Sequence, residues 1–525
     1  MPGPDFRRYQ FGPLESRGLI GGLRMGQAVL VGGALVTGVG LLYFLPTGPN
    51  AFAALGVVLT AAALAFLPIR GRSAEEWLPV GFGWLGRRLR GGQKHRSSVP
   101  TAGARVDLAS NGASAESGVA MPPTDVPEGV GDVELLSFPY RGGEIGVVKD
   151  APTFFTAVLR CRVRSFGLLG ADEQERRLAG WGEVLASFAG ERIPIRRLQW
   201  LERTVPTDAD QVGRYFSEER DRAIPLSSPS IRSYIELIDS AGSVTQDHEI
   251  FVAIQLDARR ARAAIRKLVR GYAGGESPKD RRARERQVDV AACDLLRREA
   301  ETLVNRLDGA DIRVEGALPP AALARSLRDA YDPYGRPGRA RAAASASPNG
   351  VGWTEHAWPL GAEEAWTHYQ SDSAMHVTYW IAAWPRVEVG ATFLSPLLMQ
   401  TPVLRTIAVT LEPISPTTSM RQAEHAMTSE MADEAVRERQ GFITNARKRL
   451  QQQATSRREE ELASGHAEMR MAGFVTVSAH DEDELDRACA EVEHAASQAH
   501  LQIERMYGQQ ATAFTFSLPL CRGLA

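Results

Sequence analysis

Two apolar stretches near the N-terminus constrain this chain more than any other feature. Residues 25–45 and 51–69 contain no charged side chain, and the segment between them, Pro-Thr-Gly-Pro-Asn at 46–50, favours a tight turn. Each stretch approaches the ~20 residues with which an α-helix crosses ~30 Å of hydrocarbon. Surface helices of soluble proteins carry a polar stripe, and these stretches have none. The sequence therefore predicts a transmembrane helical hairpin within residues 1–95.

Basic residues stand on both sides of this hairpin, and the turn between its helices carries no charge. The positive-inside rule then places both ends of the hairpin in the cytoplasm. A buried hairpin in a soluble core and a cleaved signal peptide are the disfavoured alternatives. We expect anionic lipid headgroups to meet the basic residues that follow the second helix. These membrane-flanking residues are Arg70, Arg72, Arg87, Arg88 and Arg90.

A short segment after the hairpin combines aromatic and basic residues. Trp77, Phe82 and Trp84 precede the arginine cluster at 87–90. Such a segment is typical of an amphipathic helix that lies on the inner face of the membrane. A plain connecting helix remains the alternative.

Composition divides the rest of the chain. Residues 96–131 are rich in Ser, Ala, Gly, Pro and Val without period, which predicts a flexible linker that lets the following domain move relative to the hairpin. Alternating strand-like and helical segments follow, and a loose segment at 332–352 separates them. We expect an α+β fold with two cytoplasmic subdomains, 132–350 and 351–525. The second includes a long charged helical arm at about 419–464, for which nucleic-acid binding is the disfavoured interpretation.

The clearest pattern lies at the C-terminal end. Residues 473–479 predict a strand, and Asp481 can cap a helix whose Leu485, Ala488, Cys489 and Val492 form one apolar face. Residues 501–505 and the alternating residues 512–518 predict further strands. This order is typical of a small ferredoxin-like unit.

Recognisable catalytic motifs are missing from the sequence. It contains no GxxxxGK[ST] loop, no GxSxG elbow and no HExxH pair. His356, His368 and His376 match no metal-ligand spacing, and the four cysteines form no CxxC pair, which favours buried free thiols in a reducing compartment. We therefore expect no enzymatic activity, no metal and no cofactor. The basic run at 281–286 predicts a solvated helix face, with a docking patch for an acidic partner as the alternative.

Two parts of the chain resemble known secretion proteins. The segment from Tyr9-Gln-Phe-Gly12 to Arg90, with two spans around a Pro-Gly turn and then Glu76-Trp77, resembles the PrgI family of type IV secretion membrane subunits. The soluble part, best from residue 373 onward, is similar to the N-terminal non-catalytic domain of VirB/TrbE/CagE secretion ATPases. Its signs are the charged arm with Arg457-Arg458-Glu-Glu-Glu461 and the closing Ala513-Phe-Thr-Phe-Ser-Leu-Pro-Leu520.

The resemblance implies a function. A fusion of this kind, similar to proteins of actinobacterial conjugation and secretion loci, would be a non-enzymatic inner-membrane scaffold that docks a separate VirB/TrbE-type ATPase and other membrane subunits. In those ATPases a motor domain follows the closing strand, and here the given sequence stops at Ala525. Self-association is left open. The alternatives are an EccE-like component of type VII secretion, a membrane-bound enzyme acting on lipid or nucleotide, and a DNA-binding coupling protein.

Overall fold

The structure is a computed structural model of the whole chain. It describes residues 25–44, 47–66, 68–69, 72–97, 126–163, 166–190, 193–206, 216, 219–221, 224–225, 227–242, 246–272, 281–336, 339, 357–399, 402–422, 424, 428 and 467–524.

Two apolar helices come first among the described residues, and amphipathic helices follow among the strands. α1 and α2 are long and apolar enough to cross a membrane. The longest helix, α7, is supported along its length by i,i+4 ion pairs such as Arg281–Glu285 and Arg297–Glu301. The helices are α1 (Met25–Phe44), α2 (Gly48–Phe66), α3 (Ala74–Leu89), α4 (Ala171–Ala186), α5 (Pro229–Gly242), α6 (Arg262–Tyr272), α7 (Arg281–Gly309), α8 (Pro320–Tyr331), α9 (Ser395–Met399), α10 (Glu482–Gln498) and α11 (Gln510–Phe514).

Among the described residues, thirteen strands form one large antiparallel sheet, and two short strands pair separately near the hairpin. The fold is thus a mixture of helices and antiparallel strands, as the sequence predicts at this level. The strands are β1 (Pro68–Ile69), β2 (Arg72–Ser73), β3 (Lys94–Arg96), β4 (Val133–Tyr140), β5 (Gly143–Asp150), β6 (Phe154–Arg162), β7 (Ile195–Pro206), β8 (Gln246–Asp257), β9 (Arg313–Ala317), β10 (Gly361–Glu364), β11 (Tyr369–Ser371), β12 (Ala374–Ala383), β13 (Leu404–Pro413), β14 (Met469–Ala479) and β15 (Gln502–Arg505).

The large sheet contains the same arrangement twice. In the first copy β6, β7, β8 and β9 lie in the order β7-β8-β6-β9, with α4 joining β6 to β7 and α7 preceding β9. In the second copy β12, β13, β14 and β15 lie in the order β13-β14-β12-β15, with α10 joining β14 to β15. The two chain regions expected as separate subdomains therefore each hold one repeat of a common topology.

The correspondence extends to the strands that precede each repeat. A meander, β4-β5, leads into β6, and a second meander, β10-β11, leads into β12. In both repeats one edge of the first strand, β6 or β12, is shared by two partners. The preceding meander strand, β5 or β11, pairs with its first half, and the last strand of the repeat, β9 or β15, pairs with its second half. A short helix then follows, α8 in the first repeat and α11 in the second. Apart from β3, the sheet body consequently repeats one supersecondary unit in tandem.

One strand pair joins the two repeats. β7 pairs antiparallel with β13, from Leu198 opposite Leu411 to Arg203 opposite Thr406. Because the two strands hold equivalent positions, this pairing relates the repeats by an approximate two-fold axis normal to the sheet.

Both faces of the sheet are buried near its centre. On one face α4, α6 and α7 cover the first repeat and α10 covers the second, with Leu296, Leu303 and Val492 fully buried. On the other face α8, α11 and the residues after α11 pack against the sheet, and Phe514 and Leu520 are buried there. Strands buried on both faces are near-continuously apolar, as the run through residues 472–477 of β14 illustrates.

Residues 508–524 cross the second face, and we call them the C-terminal strip. Its backbone is bonded by buried polar side chains of the sheet. Gln199 donates to the Phe516 carbonyl at 2.9 Å and accepts from the Cys521 amide at 3.0 Å, and Thr410 donates to the Arg522 carbonyl at 2.9 Å. These bonds meet the backbone groups that burial takes from water.

Two sequence expectations differ from the structure. Residues 512–518 form α11 and a 3-10 turn at Thr515–Ser517 instead of a strand. Their alternation of apolar and polar residues does not separate a buried face from an exposed one, because Thr515 and Ser517 are as inaccessible as Phe514. Residues 332–336 and 339, expected within a loose segment, are instead held by the Asp332 carboxylate, which accepts from the Gly335 amide at 3.1 Å and pairs with Arg339 at 2.5 Å. The remaining residues of that segment lie outside the described residues.

The expected linker 96–131 is ordered at both ends. β3 pairs with β10, and the Ser97 amide donates to the Leu360 carbonyl at 2.8 Å. At the other end Val130 is buried in the core. Residues 98–125 lie outside the described residues, as does most of the expected helical arm at 419–464. The chain is therefore joined to the sheet through β3 before the linker begins, and the flexibility of the linker stays a prediction.

A buried imidazole links the second repeat to α8. His376 is fully buried, and its Nε2 lies 3.1 Å from the Tyr331 carbonyl. Since a carbonyl only accepts, Nε2 carries the proton, and Nδ1 accepts from the Ser478 hydroxyl at 2.8 Å. Burial lowers the pKa of His376 from 6.5 to about 4, although the Tyr331 carbonyl and Asp332 oppose this shift.

We predict that this imidazole makes the fold acid-sensitive. The unfolded chain takes up a proton at His376 below pH 6.5 and the folded chain only near pH 4, so stability falls as the pH falls through this window. His376→Gln should remove up to ~1.4 kcal/mol per pH unit from the slope of unfolding free energy against pH. Denaturant titrations of the detergent-solubilised chain at pH 4.5 to 7.5 measure the slope. His494→Gln, at an exposed position, is the matched control, and equal slopes in both variants contradict the assignment.

Candidate functional site: the junction between hairpin and sheet

The junction starts where the two ends of the helical hairpin meet. The Gln27 side chain of α1 donates to the Ala65 carbonyl of α2 at 3.0 Å. Gly26 faces Glu75 so closely that a Cβ there would lie 2.8 Å from its Oε2 atom. The first turn of α3 is therefore packed against the first turn of α1, at the open end of the hairpin.

Aromatic side chains then hold α3 against the second repeat. The ring of Trp84 meets Trp366 edge-on with centroids 5.3 Å apart, and Trp77 lies 6.1 Å from Trp366 and 6.0 Å from Tyr507. Large aromatic surfaces of this kind contribute much of the energy of an interface. Gly508 has a φ of +67°, and a Cβ there would lie 2.4 Å from Trp366. Glycine is thus required beneath this indole.

A guanidinium completes the contact. Arg87 donates from Nε to Oε2 of Glu364 at 3.1 Å and from Nη2 to the Gly508 carbonyl at 2.6 Å. The other oxygen of Glu364 accepts from the Ala511 amide at 3.0 Å. The Glu364 side chain is only 3% exposed, so Arg87 supplies the countercharge of a buried carboxylate. One residue of α3 is thereby bonded both to β10 and to the C-terminal strip.

The chain after α3 adds a strand to the sheet. β3 pairs antiparallel with β10 from Lys94 opposite Glu363 to Arg96 opposite Gly361. In the first repeat β4 occupies the position equivalent to β10, and no described strand pairs with its outer edge. The segment that follows the hairpin therefore breaks the symmetry of the two repeats by covering one sheet edge alone.

The predicted membrane-flanking basic residues have different environments. Arg87 is committed to the sheet body, as described above. Arg88 is exposed, with its guanidinium 5.2 Å from the centre of the Trp84 ring, and Arg90 is exposed at the turn after α3. Arg70 lies outside the described residues, and for Arg72 only the backbone, in β2, is described.

The three aromatic residues that the sequence grouped together do not share a face. Trp77 and Trp84 are seven residues apart, which is close to two turns, and both face the sheet body. Phe82 lies about 200° around the helix axis from Trp84, and it is 71% exposed. The helix consequently has two apolar faces with different surroundings.

Sequence reasoning missed the residues that receive α3. Glu364, Trp366, Tyr507 and Gly508 carry no local signal of this role, because the partner Arg87 is 277 residues from Glu364 and 421 residues from Gly508. Trp366 packs against Trp77 and Trp84 of α3.

Titratable groups near the junction and elsewhere are buried in a way that is typical of a structural role. Burial raises the pKa of Glu128, Arg87 opposes this, and the Glu364 carboxylate adds to it. All four cysteines are free and buried, as expected, and burial raises the pKa of Cys161 and Cys293 to about 12. Within the described residues no cluster of three or more His, Cys, Asp or Glu could hold a metal ion. The junction gathers indole rings, one guanidinium and one buried carboxylate, a set that suits firm attachment.

Comparison with known proteins adds no identification. No protein-family model matches the sequence, and no curated protein matches it either.

We predict that Arg87 holds α3 and β3 on the sheet body. Arg87→Ala leaves Glu364 buried without its countercharge, which should lower the local opening free energy by ~1–3 kcal/mol. Amide hydrogen exchange in residues 74–97 should then accelerate about 5- to 150-fold. Hydrogen exchange with mass spectrometry on the detergent-solubilised chain measures this. Arg90→Ala removes an exposed arginine nearby and should change little, whereas unchanged exchange in Arg87→Ala refutes the role of the pair.

Proposed function

We propose that this protein is a structural inner-membrane subunit of a type IV secretion or conjugation-like machine that docks a separate VirB/TrbE-type secretion ATPase. In this proposal α1 and α2 form a transmembrane hairpin, and both termini and the sheet body lie in the cytoplasm. The protein acts without catalysis of its own.

The observation that carries the proposal is the junction itself. A scaffold must transmit position from the membrane to its partner, so the membrane segment must be fixed to the soluble body. Trp77, Trp84 and Arg87 fix α3 on one repeat, and β3 extends the same sheet. An enzyme that is merely tethered to the membrane does not need such an attachment, and this favours the scaffold over the membrane-bound enzyme.

Exposure of the hairpin supports its placement in lipid. Val36, Phe44 and Phe52 are 74%, 80% and 80% exposed. Apolar side chains exposed around two adjacent helices of this length are covered by lipid in membrane proteins. The uncharged turn and the basic flanks then orient the hairpin with its open end inward.

The duplicated topology supports a role in assembly. Each repeat follows the β-α-β-β-α-β order of ferredoxin-like units, and we propose that both are of this type. The sheet body offers large surfaces on both repeats, and the exposed basic start of α7, from Arg281 to Arg286, is a surface that suits an acidic partner. The resemblance to PrgI-family subunits and to the non-catalytic domain of VirB/TrbE/CagE ATPases supplies the proposed partner, together with other membrane subunits of the machine and copies of the chain itself.

We predict that the protein recruits a secretion ATPase to membranes. Co-expression of the full chain with a VirB/TrbE-type ATPase from the same host should move that ATPase from the soluble to the membrane fraction and allow the two to co-elute after solubilisation. Quantitative immunoblots of both fractions measure the shift. A P-loop ATPase unrelated to secretion is the control and should stay soluble. If the secretion ATPase remains soluble as well, the docking function is refuted, and selective co-elution with type VII core subunits would favour the EccE-like alternative.

We also predict the topology of the hairpin. A phosphatase that is active only outside the cytoplasm should be active when inserted at Thr47, in the turn, and inactive when fused to the C-terminus. A fluorescent protein that folds in the cytoplasm should give the opposite result. Cytoplasmic signals at both positions contradict the transmembrane hairpin.

A further inference from the structure

The outward face of α3 carries an apolar stripe, which we define as Leu78, Phe82, Leu85 and Leu89. These side chains are 42%, 71%, 45% and 79% exposed. Their spacing of four, three and four residues confines them to an arc of about 60° around the helix axis. Contiguous exposed apolar side chains of this kind mark an interaction surface.

The sheet body cannot be the partner of this stripe. Trp77, Trp84 and Arg87 point to the sheet body from another side of the helix. The stripe therefore needs a second partner. One apolar side of α3 packs against the sheet body, and the other, the stripe, is exposed.

The position of the stripe indicates what that partner is. α3 starts at the open end of the hairpin, beside Gly26 and the end of α2. The stripe begins at Leu78, about one helical turn after the residue that meets Gly26, and so lies close to the level at which a membrane-spanning hairpin emerges from the bilayer. Arg88 and Arg90, both exposed, follow at the end of the stripe and suit anionic headgroups.

We propose that the apolar stripe inserts into the headgroup and acyl boundary of an anionic bilayer, so that α3 lies in the plane of the membrane with the sheet body on its other side. This inference rests on the proposed membrane anchoring and adds the surface that meets the lipid. An amphipathic helix of this type buries its apolar face ~5–10 Å below the headgroups. A single two-sided helix then sets the orientation of the sheet body relative to the membrane.

Spin labelling tests this inference with the full chain. All four native cysteines are buried, so a nitroxide reagent reacts selectively with one introduced at the surface. Phe82→Cys labels the stripe. Gly83→Cys is the matched control, because the next position is exposed and a Cβ there meets only Arg87 Nη1, at 3.7 Å. Val36→Cys labels the middle of α1, where the side chain is 74% exposed.

The labelled proteins are reconstituted in vesicles of phosphatidylcholine and phosphatidylglycerol, and nitroxide relaxation by oxygen and by a water-soluble nickel chelate is compared. The inference expects the Phe82→Cys label to be accessible to oxygen and protected from nickel, at a depth of ~5–10 Å, while the Gly83→Cys label is accessible to nickel.

Three other outcomes overturn the inference in different ways. Nickel access at both 82 and 83, with the Val36→Cys label deep in the bilayer, rejects the stripe while leaving the anchor intact. Protection of the Phe82→Cys label from both reagents assigns the stripe to a protein partner or a second copy of the chain. Nickel access at Val36→Cys rejects the membrane anchoring and the inference together.

Discussion

The antiparallel pairing of β7 with β13 is the interaction on which the rest of the structure depends. Its hydrogen bonds run from Leu198 to Arg203 on one strand and turn two four-stranded repeats into one sheet. Two side chains of β13 join the core that covers the first repeat, those of Val409 and Leu411. Packing as well as hydrogen bonding therefore crosses the seam, the line where β7 pairs with β13. Without this pairing β7 and β13 would each be an exposed edge strand, and long exposed edge strands promote association with other chains.

On the second face of the sheet, polar side chains as well as apolar ones hold the C-terminal strip over the seam. Gln199 and Gln255 of the first repeat and Thr410 and Thr476 of the second are all nearly inaccessible, and each bonds to the C-terminal strip. These four side chains together fix the position of the C-terminal strip, because any shift of the strip would leave several buried polar groups without a hydrogen bond. The strip ends beyond the seam, where Arg522 forms a bidentate pair with Asp150 at 2.6 and 2.8 Å.

Local patterns in the sequence predict local structure well here. The Asp481 cap is confirmed, since its side chain accepts from the Glu484 amide at 2.8 Å, and the periodic apolar face of α10 is buried as expected. The duplication could not be predicted, because the segments between the second and third strands of the repeats differ in length and the shared property is topology. The junction could not be predicted either, since Arg87 and Glu364 are 277 residues apart in the sequence, and the arginines around the hairpin favoured lipid for every basic residue alike.

Gly508 gives the molecule a continuous mechanical path. Its carbonyl accepts from Arg87, its amide donates to the Trp366 carbonyl at 2.8 Å, and the same backbone continues as the C-terminal strip to Arg522 on the far repeat. A force on α3 is therefore passed through Arg87 to the C-terminal strip, a continuous backbone that contacts both repeats. The pairing of β7 with β13 does not carry this force alone. Load on α3 is therefore distributed over the buried hydrogen bonds that join the C-terminal strip to both repeats.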